Sequence, residues 1–373
     1  DFLRKRLTIA LAAEPDSGRH LLVTKGAFAE TMQICGSARR DGAVVPLTPE
    51  LRGEIEAYYQ DRGGAGFRLL ALATREAPAR AQHSRDDEAG MVFEGFLHFF
   101  DPPKADAGAT LKSLAALGIR TKVISGDNRY VTRHLAEAIG LNPKSLLTGT
   151  EIAALRDDAL RIKAPHTDLF VEVDPQQKER IVRALQRAGH AVGFLGDGIN
   201  DAPALHAADV GISVSEAVDV ARESADIVLL QRDLGVLRRG VEDGRRTFAN
   251  TLKYICITTS ANFGNMVSMA LATPFLPFLP LAAKQILLNN FMSDLPSIAI
   301  ATDNVDPIHI ARAQRWQIKD VQRFMIVFGL ISSVFDLITF ATLLFVLRVD
   351  EGGFQTIWFV ISLLTELAVV LIL

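Results

Sequence analysis

The chain has 373 residues, with 40 Lys and Arg against 43 Asp and Glu, for a formal net charge of −3 at pH 7. This length can bury two or three separate cores. The near-neutral balance excludes the overall basic field that attracts nucleic acid. Two distant cysteines, Cys35 and Cys256, make a disulfide framework unsupported and fit a reducing compartment for the soluble part.

The first 90 residues show short alternating apolar runs separated by Pro, Asp and Gly turns. A helix is predicted at 49–60 and a strand at 67–74, with the glycine-rich segment 63–66 between them. The start carries neither an initiator methionine nor a signal peptide, and the chain stops within an apolar run, so we expect a piece of a longer protein. Residues 1–90 are predicted to be part of a small α+β lobe.

From residue 91 the pattern changes to strands that alternate with helices. Strands are predicted at 92–100, 120–124, 169–173 and 191–195, and helices at 105–117, 129–139 and 176–187. This alternation predicts a parallel, doubly wound α/β domain over residues 91–237. In such sheets the chemistry lies at the carboxyl ends of the strands.

A helical stretch at 238–252 is followed by four apolar segments, at 254–276, 281–301, 324–347 and 354–373. Each is close to the ~20 residues that a bilayer requires. Lys and Arg are concentrated before the first segment and between the second and third, so the positive-inside rule places the soluble part in the cytoplasm. Residues 238–373 are predicted to be a stalk and an all-α bundle of four transmembrane helices; buried helices of a soluble domain are the alternative.

The most informative motif is GDGINDAP at residues 196–203, directly after the predicted strand 191–195. Two glycines permit a tight turn close to a bound group. Asp197 and Asp201 offer hard oxygen ligands, which suit Mg²⁺ bound together with a phosphate. An acidic surface turn is the alternative, but eight specified residues at a strand end favour a site.

At this motif the chain resembles the haloacid-dehalogenase-like phosphorylation domain of P-type cation-transporting ATPases. The resemblance implies that Asp197 binds the catalytic Mg²⁺ and that Asn200 and Asp201 support the phosphoryl site. Other motifs follow the family order, namely a hinge at Asp101 (DPPK), a phosphate-holding turn at Ser125, Gly126 and Asp127 (SGDN), and a neutralising lysine at Lys178 (DPQQK). Each is weak alone, and their common order gives them weight.

The first lobe resembles the family's ATP-binding domain at Lys25-Gly26-Ala27. The resemblance implies that Lys25 and Gly26 belong to the ATP pocket and that Lys5 and Arg68 add positive charge, with ATP and Mg²⁺ as cofactors. The family's Asp-Lys-Thr-Gly-Thr string, which carries the phosphorylated aspartate, does not occur in the chain. We therefore expect an N-terminal part to supply that aspartate, an actuator domain and the first transmembrane helices, and this chain alone to be inactive.

Polar side chains recur on one face of two apolar segments, where they are costly and usually functional. Asn262 and Asn265 are one turn apart, and the second segment repeats the pattern at i, i+3 and i+4. Pro296 removes a backbone donor, so we expect unwinding there. The resemblance implies a cation site formed by Asn262, Asn265, Asn290, Ser293, Asp294 and Glu366, with Asp336 a further candidate. Hydrogen bonds between helices are the alternative.

Residues 287–291, 302–306, 314–316 and 323–326 look like the magnesium-importing branch of the family, and Asn265 stands where calcium pumps carry a carboxylate. The resemblance implies a multidomain protein of a bacterial inner membrane, with cytoplasmic soluble domains, that transports a cation, magnesium, through an aspartyl phosphate. Three alternatives stay open: a pump for another cation such as calcium, a membrane-anchored phosphatase of the haloacid-dehalogenase type, and a degenerate pump that only binds nucleotide or partners.

Overall fold

A computed structural model describes residues 4–12, 18–104, 106–231 and 233–372. The predicted lobe begins at residue 1, a predicted helix begins at residue 105, and the last predicted span ends at residue 373. These three residues lie outside the described ranges. The chain divides into two compact units, residues 1–112 with 120–234, and residues 113–119 with 235–373. We refer to them as the soluble unit and the helical unit.

The N-terminal part of the soluble unit is a six-stranded sheet in the order β1-β2-β5-β6-β3-β4. Its strands are β1 Arg6–Ala12, β2 Arg19–Gly26, β3 Cys35–Arg40, β4 Ala43–Pro46, β5 Phe67–Pro78 and β6 Met91–Phe100. Two helices, α1 Phe28–Met32 and α2 Pro49–Gly64, complete the lobe. The Thr48 side chain accepts a hydrogen bond from the Leu51 amide and starts α2, with proline in the favoured first turn.

The sequence pattern predicts that β6 belongs to the parallel domain that follows it, and this prediction is wrong. It pairs antiparallel with β5, from Phe67 opposite Phe100 to Thr74 opposite Val92, and parallel with β3. An alternating run predicts which face of a strand is buried, but it contains no information about the neighbouring strand. The first sheet therefore extends to residue 100.

The rest of the soluble unit alternates strands and helices, as predicted. Two three-stranded parallel sheets form, in the orders β7-β9-β8 and β10-β11-β12. The strands are β7 Val123–Ile124, β8 Leu146–Thr148, β9 Leu169–Val171, β10 Gly193–Leu195, β11 Val210–Val214 and β12 Ile227–Leu229. The helices are α3 Ala107–Ala116, α4 Arg129–Ile139, α5 Gly149–Ala154, α6 Asp157–Lys163, α7 Pro175–Arg187, α8 Ala202–Ala207 and α9 Asp219–Glu223.

Within the described ranges, β7 and β10 are edge strands of the two separate parallel sheets. Strand β9 is fully buried, which explains its uninterrupted apolar sequence. Ile124 of β7 packs against the cores on both sides and so joins the two sheets. The multidomain fold class, with an α+β lobe, an α/β domain and a helical region, is confirmed.

The helical unit contains α10 Gly235–Ala272, α11 Ala283–Ser297, α12 Pro307–Ala311, α13 Ile318–Ala341 and α14 Glu351–Ile372. All four predicted apolar segments are largely helical. Two helices in the described part of the chain are long and apolar enough to cross a membrane, Ile318–Leu347 and Glu351–Val370. The first predicted span is instead the apolar half of the 38-residue α10, and the second is the 15-residue α11 with a 3₁₀ turn at Ile298–Thr302.

The expected unwinding at Pro296 is wrong. Helix α11 continues through this proline to Ser297, whose hydroxyl donates to the Ser293 carbonyl at 2.9 Å. Proline removes a single helical hydrogen bond, and so close to the end of a helix few bonds depend on it.

Helices α10 and α13 approach each other through glycines. A Cβ built on Gly329 would lie 2.6 Å from the Phe263 ring and 3.1 Å from the Ser260 carbonyl oxygen. The Ser333 hydroxyl donates to the Gly264 carbonyl at 3.0 Å. Small residues and hydroxyl donors of this kind allow close packing of helices where no water is present.

Candidate functional site

The turn at Ser125 follows β7 directly. The Ser125 amide donates to the Phe170 carbonyl at 2.8 Å, and the Ser125 hydroxyl oxygen accepts from the Asp127 amide at 3.0 Å. A Cβ on Gly126 would lie 3.3 Å from the Val173 carbonyl oxygen, so the turn fits tightly against the end of β9. A hydroxyl and backbone amides are thus fixed at the carboxyl end of a parallel strand.

An ion pair between Arg129 and Glu172 stabilises this turn. The Arg129 side chain donates to both carboxylate oxygens of Glu172, at 3.0 and 2.8 Å, and the Glu172 amide donates to the Asp127 carbonyl at 3.0 Å. Burial alone would raise the pKa of Glu172, but the hydrogen bonds and charge of Arg129, with a smaller effect from the charge of Lys5, hold it below its usual value. Glu172 therefore stays ionised beside the turn.

Lys178 and Asp201 form a half-hidden ion pair at the GDGINDAP motif. The Lys178 ammonium lies 2.7 Å from Asp201 Oδ1, and their side chains are 12% and 13% exposed. The other Asp201 oxygen accepts from the Gly198 amide at 3.0 Å. A Cβ on Gly196 would lie 2.5 Å from Asp201 Cβ, so only glycine fits there.

Asp197 differs from Asp201 in that it is exposed. Its backbone is fixed, because the Asp197 carbonyl accepts from the Val218 amide at 3.1 Å, and the half-buried Asn200 lies in the following 3₁₀ turn. Both Asp201 oxygens have protein donors, so the open carboxylate is that of Asp197. Mg²⁺ is commonly bound by one or two carboxylates together with phosphate oxygens and water, a requirement that Asp197 fits.

The absence of a closed metal cage fits the same chemistry. No group of three or more His, Cys, Asp or Glu side chains that could hold a metal occurs among the described residues. Mg²⁺ dehydrates reluctantly and does not require such a cage.

The predicted nucleotide residues of the first lobe lie on adjacent strands. The Lys5 carbonyl accepts from the Ala27 amide at 2.9 Å, and a Cβ on Gly26 would lie 2.7 Å from that same oxygen. Lys25 is paired with Leu72 of β5, and Arg68 lies four residues away on the same face. Lys25 and Arg68 thus share one face of the sheet, and Lys5 lies in the turn just before β1.

Arg68 connects this lobe to the phosphate turn. Its guanidinium lies 3.3 Å from Asp127 Oδ1, and the two side chains are largely exposed. Such exposed ion pairs contribute little to stability. The contact therefore shows where the Arg68 side chain lies, but it does not hold the two segments together. Asp101 is exposed directly after β6 and has no role visible in the described structure.

In the helical unit, several of the predicted cation ligands line a cavity of about 280 Å³. It is lined by Asn262, Asn265, Met266, Met269, Leu281, Ile286, Asn289 and Asn290. Three predicted ligands are therefore brought together, and Asn289 is an addition. Ser293, Asp294 and Glu366 are not among the lining residues.

The carboxylates lie beside this cavity. The Asn289 amide nitrogen donates to Glu366 Oε2 at 3.5 Å, and Asp294 acts electrostatically on Glu366. Asp294 is exposed in this structure, so its role as the anionic centre stays a prediction. The Ser293 hydroxyl donates to the Asn290 carbonyl at 3.1 Å.

Asp336, the further candidate ligand, has a different environment. It is 7% exposed, its Oδ2 accepts from the Ser268 hydroxyl at 2.7 Å, and its Oδ1 accepts from Trp358 Nε1 at 3.1 Å. Neutral donors from α10 and α14 thus occupy both oxygens. Asp336 joins three helices and does not line the cavity.

Sequence reasoning missed Asn289 because it looked for polar residues on the face of Asn290. Adjacent residues on a helix point about 100° apart, so Asn289 fell outside that pattern. The only available signal was a second amide next to Asn290 in an apolar segment, where polar groups are costly.

Two families match this chain. One is described as haloacid dehalogenase-like hydrolase and matches residues 30–209; the other is described as cation transporting ATPase, C-terminus, and matches residues 278–373. The first match contains the α/β site, and the second contains the α11 side of the helical cavity, from Leu281 to Asn290.

Individual relatives agree with this result. A magnesium-transporting ATPase, P-type 1, of Salmonella typhimurium strain 14028s is 44% identical over 99% of this chain and 41% of its own length. Its namesake in Escherichia coli K12 is 44% identical over 99% of the chain and 42% of its own length. Calcium-transporting ATPase 1 of Yarrowia lipolytica is 29% identical over 78% and 32%.

The chain thus spans about two fifths of the length of the magnesium-transporting relatives. Within that span, one family matches the α/β part, the other matches the helical C-terminal part, and the same P-type ATPase relatives align with both. The chain belongs to the P-type cation-transporting ATPases.

Proposed function

We propose that this chain supplies the phosphoryl-handling, ATP-binding and cation-binding parts of a membrane pump that transports magnesium, driven by ATP hydrolysis. The observation that carries the proposal is the presence, in one chain, of the Lys178–Asp201 pair beside the open Asp197 and of an asparagine-lined cavity among apolar helices. The remainder of the pump, including the aspartate that accepts phosphate, comes from an N-terminal part of the same protein.

Phosphoryl transfer requires a nucleophile, a metal ion and fixed positive charge around the equatorial oxygens. Lys178 provides fixed charge, because its contact with Asp201 holds the ammonium in one position. The Ser125 hydroxyl is a donor suited to a phosphate oxygen. Asp197 would hold Mg²⁺, which when bound offsets the charge of the phosphate.

The first lobe contributes attraction for a polyphosphate. Lys25 and Arg68 are two cations on one face of the sheet, Lys5 lies in the turn before β1, and Gly26 allows two strands to approach closely. A positive surface of this kind raises the local concentration of a nucleotide. ATP is the cofactor that fits both this surface and the phosphate turn.

The helical unit contributes the site for the transported ion. The cavity is lined by Asn262, Asn265 and Asn290, and the carboxylates of Asp294 and Glu366 lie near it. Oxygen ligands with one or two negative charges suit a hard divalent cation. Magnesium is favoured over calcium because the relatives at 44% identity are named for magnesium and the one at 29% for calcium.

The surroundings of the helical unit fit a lipid bilayer. Large apolar side chains on its helices are exposed, among them Leu287, Phe335 and Phe345. The apolar half of α10 is preceded by Arg245, Arg246 and Lys253, a charge pattern that supports a cytoplasmic position for that end. A bacterial inner membrane with cytoplasmic soluble domains is the proposed location.

Transport by the full-length pump tests the proposal. The pump is reconstituted in lipid vesicles that contain a magnesium-sensitive dye, and ATP is added outside with Mg²⁺ or Ca²⁺ as the cargo. We expect ATP-dependent movement of Mg²⁺. Movement of Ca²⁺ alone would overturn the choice of cargo, and ATP hydrolysis without movement of any cation would overturn the pump.

The chain by itself gives a second test. Since it lacks the phosphate acceptor, the purified chain is expected to show no ATP turnover and no incorporation of γ-phosphate into protein. Magnesium-dependent labelling of this chain from γ-labelled ATP would show that another residue accepts the phosphate.

A further inference from the structure

Asn289 has an incomplete set of hydrogen bonds. Its side chain is 2% exposed, and its amide nitrogen donates to Glu366 Oε2 at 3.5 Å. Its side-chain oxygen is buried and is one of the few such atoms in the described residues without a hydrogen-bond partner. Buried polar atoms are nearly always bonded, so this oxygen requires an explanation.

The orientation of this amide is determined by Glu366. A carboxylate accepts hydrogen bonds, so the amide must turn its nitrogen toward Glu366, and its oxygen then points elsewhere. The reverse orientation would set two acceptor oxygens against each other. Glu366 thus leaves the oxygen of Asn289 available.

The cavity beside Asn289 provides room for what that oxygen binds. Its volume of about 280 Å³ is several times that of a water molecule. Asn262 and Asn290 also line it, whereas the oxygen of the fourth amide, Asn265, already accepts from the Ser362 hydroxyl at 3.2 Å. Asn289, a residue of the cavity wall, therefore carries a buried side-chain oxygen that no protein donor satisfies.

We propose that the side-chain oxygen of Asn289 is a direct ligand of a hard divalent cation in this cavity, held in position by Glu366. The inference rests on the proposed function, since it assumes that the cavity is the cation site. Mg²⁺ prefers oxygen ligands and exchanges only some of its waters for protein groups. An open amide oxygen with its nitrogen fixed by a carboxylate meets that requirement.

The chain offers a probe that reports on this region alone. Both tryptophans of the protein, Trp316 and Trp358, lie in the helical unit. Thermal unfolding of the whole chain in detergent, followed by tryptophan fluorescence, therefore measures the helical unit. Asp197→Asn is used as the background, so that magnesium at the soluble site does not contribute.

The test is a titration with MgCl₂ at constant ionic strength. In the background chain, the unfolding temperature is expected to rise with magnesium. Asn289→Leu, which keeps the volume and removes the oxygen, is expected to weaken the apparent affinity at least tenfold, about 1.4 kcal/mol. Met292→Leu, an exposed position on the same helix that is not in the cavity lining, should leave the affinity unchanged.

Each result separates the proposals. If Asn289→Leu raises the unfolding temperature without magnesium and keeps the full magnesium response, the open oxygen is only a packing defect and the inference is overturned. Asn289→Ala serves if the leucine variant does not fold. If Asp294→Asn and Asn262→Leu abolish the response while Asn289→Leu keeps it, the cation site stands and Asn289 is not a ligand. A background chain with no response to magnesium would overturn both proposals.

Discussion

The soluble and helical units differ in the partners of their carboxylates. In the soluble unit, two carboxylates of the candidate site are matched by full positive charges, Asp201 by Lys178 at 2.7 Å and Glu172 by Arg129 at 2.8 Å. In the helical unit, the buried Asp336 has only neutral donors, and the cavity is lined by amides and apolar groups. Water lowers the cost of charge in the first unit, and its absence raises that cost in the second.

This difference matches what each unit has to bind. A polyphosphate carries several negative charges and is held well by fixed cations. A transported cation must enter its site and also leave it, so many full negative charges would bind it too tightly. Neutral oxygens with one or two carboxylates are a suitable compromise.

The largest expected effects come from removing one charge in each unit of the full-length pump. Asp197→Asn and Asp294→Asn should each lower magnesium-stimulated ATP turnover by about 100-fold or more, because a metal-binding charge is lost in both. Only Asp294→Asn should also lose the magnesium response of tryptophan fluorescence. Wild-type turnover in Asp294→Asn would transfer the anionic role to Glu366.

A smaller effect is expected from a substitution that disturbs the packing of two helices and removes no charge. Gly329→Ala inserts a methyl group into the contact with Phe263 and Ser260 and should destabilise the helical unit by about 3 kcal/mol, the upper range for overpacking. The matched control is Gly244→Ala, since nothing lies within 4 Å of a Cβ there. That variant should stabilise α10 by about 0.5–1 kcal/mol. Fluorescence-detected unfolding gives both values, and equal effects would contradict the close crossing.

In the soluble unit the corresponding change is Lys178→Met. It leaves the Asp201 carboxylate without its cation and should cost about 2 kcal/mol of local stability. Hydrogen exchange of residues 196–205 in the whole chain measures this loss. The double variant Lys178→Met with Asp201→Asn should recover most of the protection, and its failure to do so would show that the pair does not interact as described.

The smallest expected effect concerns nucleotide binding. Lys25→Ala should weaken ATP binding to the chain about fivefold, roughly 1 kcal/mol, because the lysine is exposed and partly screened. The difference should shrink further at high salt. Equilibrium titration with ATP measures it, with Lys144→Ala as a control at an exposed site away from the predicted pocket. Equal affinities for both variants at low salt would remove Lys25 from the ATP pocket.

The sequence predicted those features that depend on local pattern. The alternation of elements, the turn after β10 and the fold class are examples, because each is written in a short stretch of residues. The partner of β6 was not predictable, since pairing depends on the distant β5. The unpaired oxygen of Asn289 and the glycine crossing of α10 with α13 likewise exist only once helices pack.

The length of helix α10 makes the position of Asn262 sensitive to small tilts of the helix. Its 38 residues contain no proline and correspond to a rod about 57 Å long. Asn262 lies 27 residues from its first residue, roughly 40 Å along the axis. A tilt of about 3° at the start of the rod would displace Asn262 by roughly 2 Å, about the length of one magnesium–oxygen bond. A small tilt at one end of α10 is therefore large enough to change the coordination shell of an ion at Asn262.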